Sequence, residues 1–113
     1  MGQENSGAVL ASDEPGLVER VRNALRQVVD PEAGINIVEL GLVYRIVSLE
    51  SVMAVDITMT SPTCPMGDMI LDEAGAAVSA ILPDGVQLEL NLVWEPPWSP
   101  ERMSETARSH FGW

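Results

Sequence analysis

The chain has 113 residues, 46% of them hydrophobic, and a net charge of −11 from seventeen acidic and six basic residues. This length suits a single domain, and the apolar content excludes an intrinsically disordered protein. The negative charge argues against nucleic-acid and membrane-surface binding, because phosphate backbones and anionic lipids would be repelled. Cys64 is the single cysteine. A single cysteine excludes an internal disulfide and a self-contained metal or iron–sulfur site built on several thiolates. It also fits a protein of the reducing cytoplasm.

Residues 1–14 are small, polar and acidic, and we expect them to form a flexible arm before a single domain at residues 15–113. The domain is predicted to open with an amphipathic helix that has Pro15 in its first turn, where the missing N–H is no loss. Apolar residues recur at three- and four-residue intervals as far as Val28, which is the spacing of one helix face. The helix is predicted to end before Pro31.

An unusually apolar loop is predicted at residues 30–41, where Asp-Pro and two glycines interrupt a series of aliphatic residues. We expect it to pack against the body of the domain and to include one helical turn. A strand is predicted at Leu42–Val47, followed by a hairpin turn at residues 48–51. Residues 53–60 alternate between apolar and more polar side chains, which predicts a strand with one buried and one wetter face.

The second half of the domain is predicted to contain a helix, a strand and a final helix. An apolar stripe of helical spacing runs from Met66 to Ile81, and the Pro-Asp-Gly sequence at residues 83–85 ends that helix. Strict alternation from Val86 to Trp94 predicts the third strand. Ser99 is predicted to cap a last helix over residues 100–110, which has proline at its first position.

The predicted element order is α-β-β-α-β-α. It favours an α+β fold, a two-layer α/β sandwich with a small three-stranded mixed sheet and the helices on one face. The opposite face and the sheet edges would then be left uncovered. Such a surface favours association with a second copy, so a homodimer is expected.

Cys64 is the residue with the clearest chemical potential. It lies between two prolines, after a predicted strand and before a predicted helix. Unpaired N–H groups and the helix dipole at such a position favour the thiolate, which lowers the pKa of the thiol and raises its reactivity and metal affinity. The alternative is a small apolar residue that fills a turn.

Two carboxylates flank a proline at Asp30 and Glu32. They could bind a cation or act as acid and base. The alternative is a simple turn, in which Asp30 accepts hydrogen bonds from nearby backbone N–H groups.

Hydroxyl groups precede Cys64 in the chain at Thr60, Ser61 and Thr63, and they could support a thiolate or sulfide by hydrogen bonding. Ordinary strand and turn preferences explain them equally well. His110 is the single histidine and lies far away in sequence, which argues against a cysteine–histidine nucleophile pair.

Trp98 follows two prolines at the end of the third predicted strand. Its simplest role is to cover the core between the sheet and the last helix. An exposed indole there would instead indicate a docking surface.

Three segments resemble the PaaD/SufT-like family of iron–sulfur cluster assembly domains. They read DPEAGINIVELGLVYRI, VDITMTSPTCPMGDMI and LELNLVWEPPWSPERMSETAR, and the resemblance extends over about residues 17–112. It implies a compact α/β sandwich that acts in assembly or targeting rather than as a classical enzyme. The family's cysteine would be Cys64, its acidic pair Asp30 and Glu32, and its threonine-serine pair Thr60 and Ser61. The chain lacks the cysteine-rich extension of the phenylacetate-degradation branch, which favours the minimal branch.

The resemblance suggests a non-enzymatic factor that helps to assemble iron–sulfur clusters or deliver them to client proteins. Cys64 would be a transient ligand of the cluster or of iron, or a contact for the client, and no tightly bound cofactor is expected. Partners would be client or scaffold proteins. One alternative is an interaction adaptor in which Cys64 is structural and the Asp30/Glu32 loop and Trp98 bind clients. Another is a thiol-dependent enzyme.

Overall fold

The computed structural model describes residues 16–60 and 67–112. The expected arm at residues 1–14 lies outside this part of the chain, as do Ser61, Thr63 and Cys64. No helix within the described ranges is long and apolar enough to cross a membrane.

The described residues form two small sheets, three α-helices and one short 3-10 helix. In chain order, the elements are α1 (Leu17–Leu25), β1 (Val29–Asp30), β2 (Ile35–Asn36), β3 (Val43–Leu49), β4 (Val52–Ile57), α2 (Gly67–Ser79), β5 (Gln87–Leu92), the 3-10 helix (Pro100–Arg102) and α3 (Glu105–Phe111).

The main sheet has three strands in the order β3-β4-β5. β3 pairs with β4 in antiparallel orientation across a two-residue turn, whereas β5 pairs with β4 in parallel orientation. A parallel neighbour requires a crossover connection, and α2 provides it. The predicted α+β fold with a small mixed sheet is therefore confirmed.

One face of the main sheet carries the hydrophobic core. Met53, Val55 and Ile57 on β4 are fully buried, as the predicted alternation requires. α1 packs against both α2 and β3, and α2 packs against β5. Gly75 of α2 lies close to Leu90, because a Cβ at this glycine would be 3.8 Å from a Leu90 methyl group. Both long helices thus cover the same face of the sheet.

The opposite face carries a polar row across all three strands. Arg45 lies opposite Asp56, which lies opposite Asn91. The Asp56 carboxylate accepts a hydrogen bond from each neighbour, both 3.0 Å long. This face is only partly exposed to solvent, because Ala54, which lies next to the polar row, is buried. The prediction that Thr58 belongs to a wetter face was wrong: Thr58 is completely buried, and its N–H donates to the carbonyl of Leu42.

The apolar loop contains structure that the sequence pattern did not predict. β1 and β2 pair as a two-stranded antiparallel hairpin, with Val29 opposite Asn36. The expected helical turn follows directly, since the Leu40 N–H donates to the Asn36 carbonyl at 3.1 Å. Ile37 and Leu40 are buried, so the loop packs against the body of the domain as expected.

The last predicted helix is divided into two pieces. A 3-10 turn occupies residues 100–102, and Met103 then adopts an extended conformation before α3 begins. Ser104 caps α3 by accepting a hydrogen bond from the Ala107 N–H at 3.1 Å, whereas Ser99 makes no capping bond. The division has a tertiary cause. Met103 inserts into the core, and the next N–H donates to the Glu39 carbonyl.

The buried stripe predicted for the third strand is shorter than its alternation indicated. Leu88 and Leu90 pack against the core, but Leu92 is 42% exposed and Trp94 is 40% exposed. Strand pairing ends at Leu92, so Trp94 lies beyond the sheet.

Candidate functional site

Four of the predicted site residues meet in one groove of about 300 Å³. Asp30 and Glu32 come from the hairpin, Thr60 from the chain that follows β4, and Trp98 from the segment after β5. The other described residues that line the groove are all apolar: Ala33, Leu40, Met103 and Phe111. The groove therefore combines an apolar surface with two carboxylates and a hydroxyl.

The acidic pair is built on a tight turn. Oδ1 of Asp30 accepts hydrogen bonds from the backbone N–H groups of Glu32, at 2.9 Å, and of Ala33, at 3.4 Å. The Asp30 carbonyl accepts a further bond from the Gly34 N–H at 2.7 Å. The turn expected from Asp30 therefore exists, with the aspartate 5% exposed and Glu32 exposed. Asp30 shapes the turn, which leaves Glu32 as the more accessible carboxylate.

Thr60 is exposed at the point where the chain leaves the sheet region. It is the last described residue before the segment that carries Ser61, Thr63 and Cys64. The two ends of this segment are anchored close together, because a Cβ at Gly67 would lie 3.8 Å from the side chain of Met59. Of the described residues that flank this segment, Thr60 lines the groove.

Trp98 is held in place by its polar atom. The indole Nε1 donates a 2.8 Å hydrogen bond to the carbonyl oxygen of Leu40. The ring is half-buried, packs against the core and also lines the groove. Its position agrees with the predicted role of covering the core, and the same ring forms part of the surface of the groove.

Further contacts fasten the C-terminal segment to β3 and to the loop before it. The Tyr44 hydroxyl donates to the Pro96 carbonyl at 2.7 Å, and the Arg102 guanidinium lies 4.5 Å from the centre of the Tyr44 ring. Gly41 passes so close to the 3-10 turn that a Cβ there would lie 2.3 Å from the Arg102 carbonyl oxygen. Only glycine allows this approach, and the φ of +80° at Gly41 also favours it.

Sequence reasoning did not identify three apolar residues of the groove. Leu40 was predicted only as part of a packed loop, and neither Met103 nor Phe111 was assigned a role. They come together because the C-terminal segment folds back across the loop, and no local pattern predicts that contact. The single histidine, His110, lies next to the β1–β2 hairpin. Its Nε2 atom would be 3.8 Å from a Cβ placed on Gly34.

The described ranges contain no group of three or more histidine, cysteine, aspartate or glutamate residues that could hold a metal ion. The acidic pair alone therefore supplies too few ligands for a closed metal site.

A family model described as an iron-sulfur cluster assembly protein matches residues 18–89. The chain belongs to this iron–sulfur cluster assembly family. The match covers α1 from its second residue, the hairpin, the segment with Cys64 and the first half of β5. Trp98, Met103 and Phe111 of the groove lie beyond it.

Individual relatives agree with the family assignment. The Fe-S protein maturation auxiliary factor SufT of Staphylococcus aureus is 48% identical over 86 residues, which is 75% of this chain and 97% of the relative. The Fe-S protein maturation auxiliary factor YitW of Bacillus subtilis is 41% identical over 100 residues, covering 88% of this chain and 97% of the relative. The resemblance to the SufT-like family is thereby confirmed.

A solved structure supports the fold. A domain of unknown function from Bacillus anthracis is 39% identical and superposes with a TM-score of 0.79, covering 86% of this chain and 92% of that one.

Proposed function

We propose that this protein is a non-enzymatic accessory factor that helps to assemble iron–sulfur clusters or deliver them to client proteins. Family membership and two relatives named as maturation auxiliary factors support this function. The observation that carries the site is the groove in which Asp30, Glu32, Thr60 and Trp98 meet. Thr60, the last described residue before the segment that contains Cys64, lines this groove.

Chain length supports Cys64 as part of this site. Cys64 follows Thr60 by four residues and precedes Gly67 by three. An extended chain spans at most about 3.6 Å per residue, so the cysteine Cα stays within about 14 Å of one anchor and about 11 Å of the other. We therefore assign Cys64 as the transient ligand of the cluster or the contact for the client.

Ligand number determines how such a site would work. An iron–sulfur cluster is held by about four protein ligands, and this chain has one cysteine. The other ligands must come from a second subunit, a scaffold protein or the client itself. Shared ligation of this kind is weak, which suits a factor that has to release its cargo. It also suits a reducing cytoplasm, where the thiol stays free.

A homodimer is one source of additional ligands. The face of the main sheet that carries the polar row includes Leu49, which is 55% exposed, and β3 and β5 are the edge strands of the described sheet. Light scattering should give about twice the 12.2 kDa chain mass. A monomer mass at all micromolar concentrations would contradict the dimer.

A second function is an interaction adaptor that never contacts the cluster. The groove favours it, because Glu32 and Trp98 could bind a client without the thiol. In that case Cys64 would be structural.

One experiment separates the two functions. The protein is purified without oxygen, incubated with iron and sulfide, and its iron content per chain is measured. If Cys64 is a direct ligand, Cys64→Ala should abolish iron binding. The control variant Ser79→Ala, at an exposed position at the end of α2, should still bind iron.

Both variants should then be tested for maturation of a client iron–sulfur enzyme in cells. Loss of iron and of maturation in Cys64→Ala alone supports the ligand. Full maturation by Cys64→Ala supports the adaptor and contradicts the role of the thiol.

A further inference from the structure

The groove has two chemically distinct sides. Leu40, Met103 and Phe111 contribute apolar surface, and the half-buried ring of Trp98 extends it. Glu32 adds an exposed carboxylate beside this surface. A volume of about 300 Å³ is at the small end of the range for ligand pockets, so the groove fits one or two side chains better than a large cofactor.

The polar groups inside the groove are already partly engaged. The N–H of Trp98 is bonded to the Leu40 carbonyl, so its ring offers an apolar face rather than a donor. Oδ1 of Asp30 is bonded to two backbone N–H groups. The exposed Glu32 is therefore the group best placed to meet a charged ligand.

In the described ranges, the chain holds five of its arginines in contacts away from Glu32. It has six arginines and no lysine. Arg26 pairs with Glu39 and Arg45 with Asp56, while Arg102 stacks on Tyr44. Arg22 pairs with Glu19, and Arg108 donates to the Glu101 carbonyl. In the part of the chain that the structure describes, no arginine forms an ion pair with Glu32. The acidic side of the groove therefore complements a cation from another molecule.

We propose that the groove docks a short peptide segment of a partner protein, in which an apolar side chain lies close to a lysine or arginine. The apolar side chain enters between Trp98 and Phe111, and the cation meets Glu32. This inference rests on the proposed function, because it describes how the factor recognises a client or scaffold. The net charge of −11 adds long-range attraction for a basic segment and speeds the encounter.

Fluorescence anisotropy with a labelled, capped peptide tests this proposal. The probe is a seven-residue glycine-serine peptide that carries one phenylalanine and one lysine two positions apart. A second peptide replaces the lysine with glutamate, and a third replaces the phenylalanine with alanine. We expect the alanine peptide to bind at least about tenfold more weakly than the probe, because it lacks the buried aromatic ring. The glutamate peptide should not bind measurably.

A pair of protein variants locates the binding site. Glu32→Gln should weaken binding of the lysine peptide about two- to fivefold, and this difference should shrink when salt is raised. Glu89→Gln makes the same charge change at another exposed position, on β5, and should leave the affinity unchanged. Equal effects of the two variants would show that net charge alone attracts the peptide and would overturn the groove as the site.

The remaining outcomes also decide the question. Absence of binding by all three peptides overturns the proposal. Anisotropy measures peptide binding, whereas the iron assay measures the contribution of Cys64 to iron binding. Either the docking inference or the cluster function can therefore fail while the other stands.

Discussion

The indole N–H of Trp98 donates a hydrogen bond to the carbonyl oxygen of Leu40, fifty-eight positions earlier in the chain. This bond joins the segment after β5 to the loop before β3, and both residues also line the groove. One contact thus connects the stability of the domain with the shape of its candidate site.

The first prediction tests this bond. Trp98→Phe keeps an aromatic ring but leaves the partly buried Leu40 carbonyl without its donor. We expect a loss of about 1–3 kcal/mol in the free energy of unfolding, measured by chemical denaturation. Trp94→Phe serves as the control, because Trp94 is exposed and its replacement should change stability by less than about 0.5 kcal/mol. Equal losses in both variants would show that the bond contributes nothing specific.

The second prediction concerns the close approach at Gly41. An alanine there would place its Cβ 2.3 Å from the Arg102 carbonyl oxygen, so the backbone itself would have to move. We expect Gly41→Ala to destabilise the domain by more than about 3 kcal/mol.

Gly85→Ala is a matched control for this substitution. Its φ of +86° is close to the +80° of Gly41, but nothing lies within 4 Å of the added Cβ. It should cost only the conformational strain, about 1 kcal/mol. A similar loss in the two variants would mean that the contact with Arg102 relaxes easily.

The third prediction separates the structural and functional roles of the acidic turn. Asp30→Asn retains an oxygen that can accept from the Glu32 and Ala33 N–H groups, so the melting temperature should change by only a few degrees. Asp30→Ala removes that acceptor and should cost about 1–3 kcal/mol.

Glu32→Gln should leave stability unchanged, because the Glu32 side chain is exposed. If the acidic pair is functional, Asp30→Asn and Glu32→Gln both reduce maturation of a client iron–sulfur enzyme in cells. A reduction that only follows the amount of folded protein would make these residues structural.

The fourth prediction concerns the polar row of the main sheet. Arg45→Ala should cost less than about 1 kcal/mol, because the arginine side chain is 59% exposed and its ion pair is solvated. Asp56→Ala should cost more, since it removes the acceptor of both Arg45 and Asn91. Urea denaturation of the two variants and of the double variant measures the coupling. A smaller loss for Asp56→Ala than for Arg45→Ala would contradict the central role of the aspartate.

Hydrophobic periodicity predicted the long elements of the fold because each of them buries one continuous face. The β4 residues Met53, Val55 and Ile57 and the α2 residues Ile70, Ala74 and Val78 are all buried in the expected pattern. Periodicity could not predict the β1–β2 hairpin, because two-residue strands are too short to alternate. It also predicted a wetter environment for Thr58, which is completely buried.

The candidate site was accessible to sequence reasoning only in part. The Asp30 turn was predictable, because an aspartate before proline bonds to the backbone next to it. The apolar wall of the groove was not, because Leu40, Met103 and Phe111 meet only when the C-terminal segment folds back. The division of the last helix at Met103 has the same origin, since burial of that side chain outweighs the local preference for a continuous helix.

The distance in sequence between the walls of the groove has a consequence for synthesis of the protein. Asp30 leaves the ribosome early, whereas Trp98 and Phe111 emerge near the end of translation. An incomplete chain that stops after β5 would contain all three strands of the main sheet, both long helices and Cys64, but no groove. The thiol of Cys64 is therefore synthesised well before the surface that we propose for partner recognition. Only a nearly full-length chain can contain both the thiol and the complete groove.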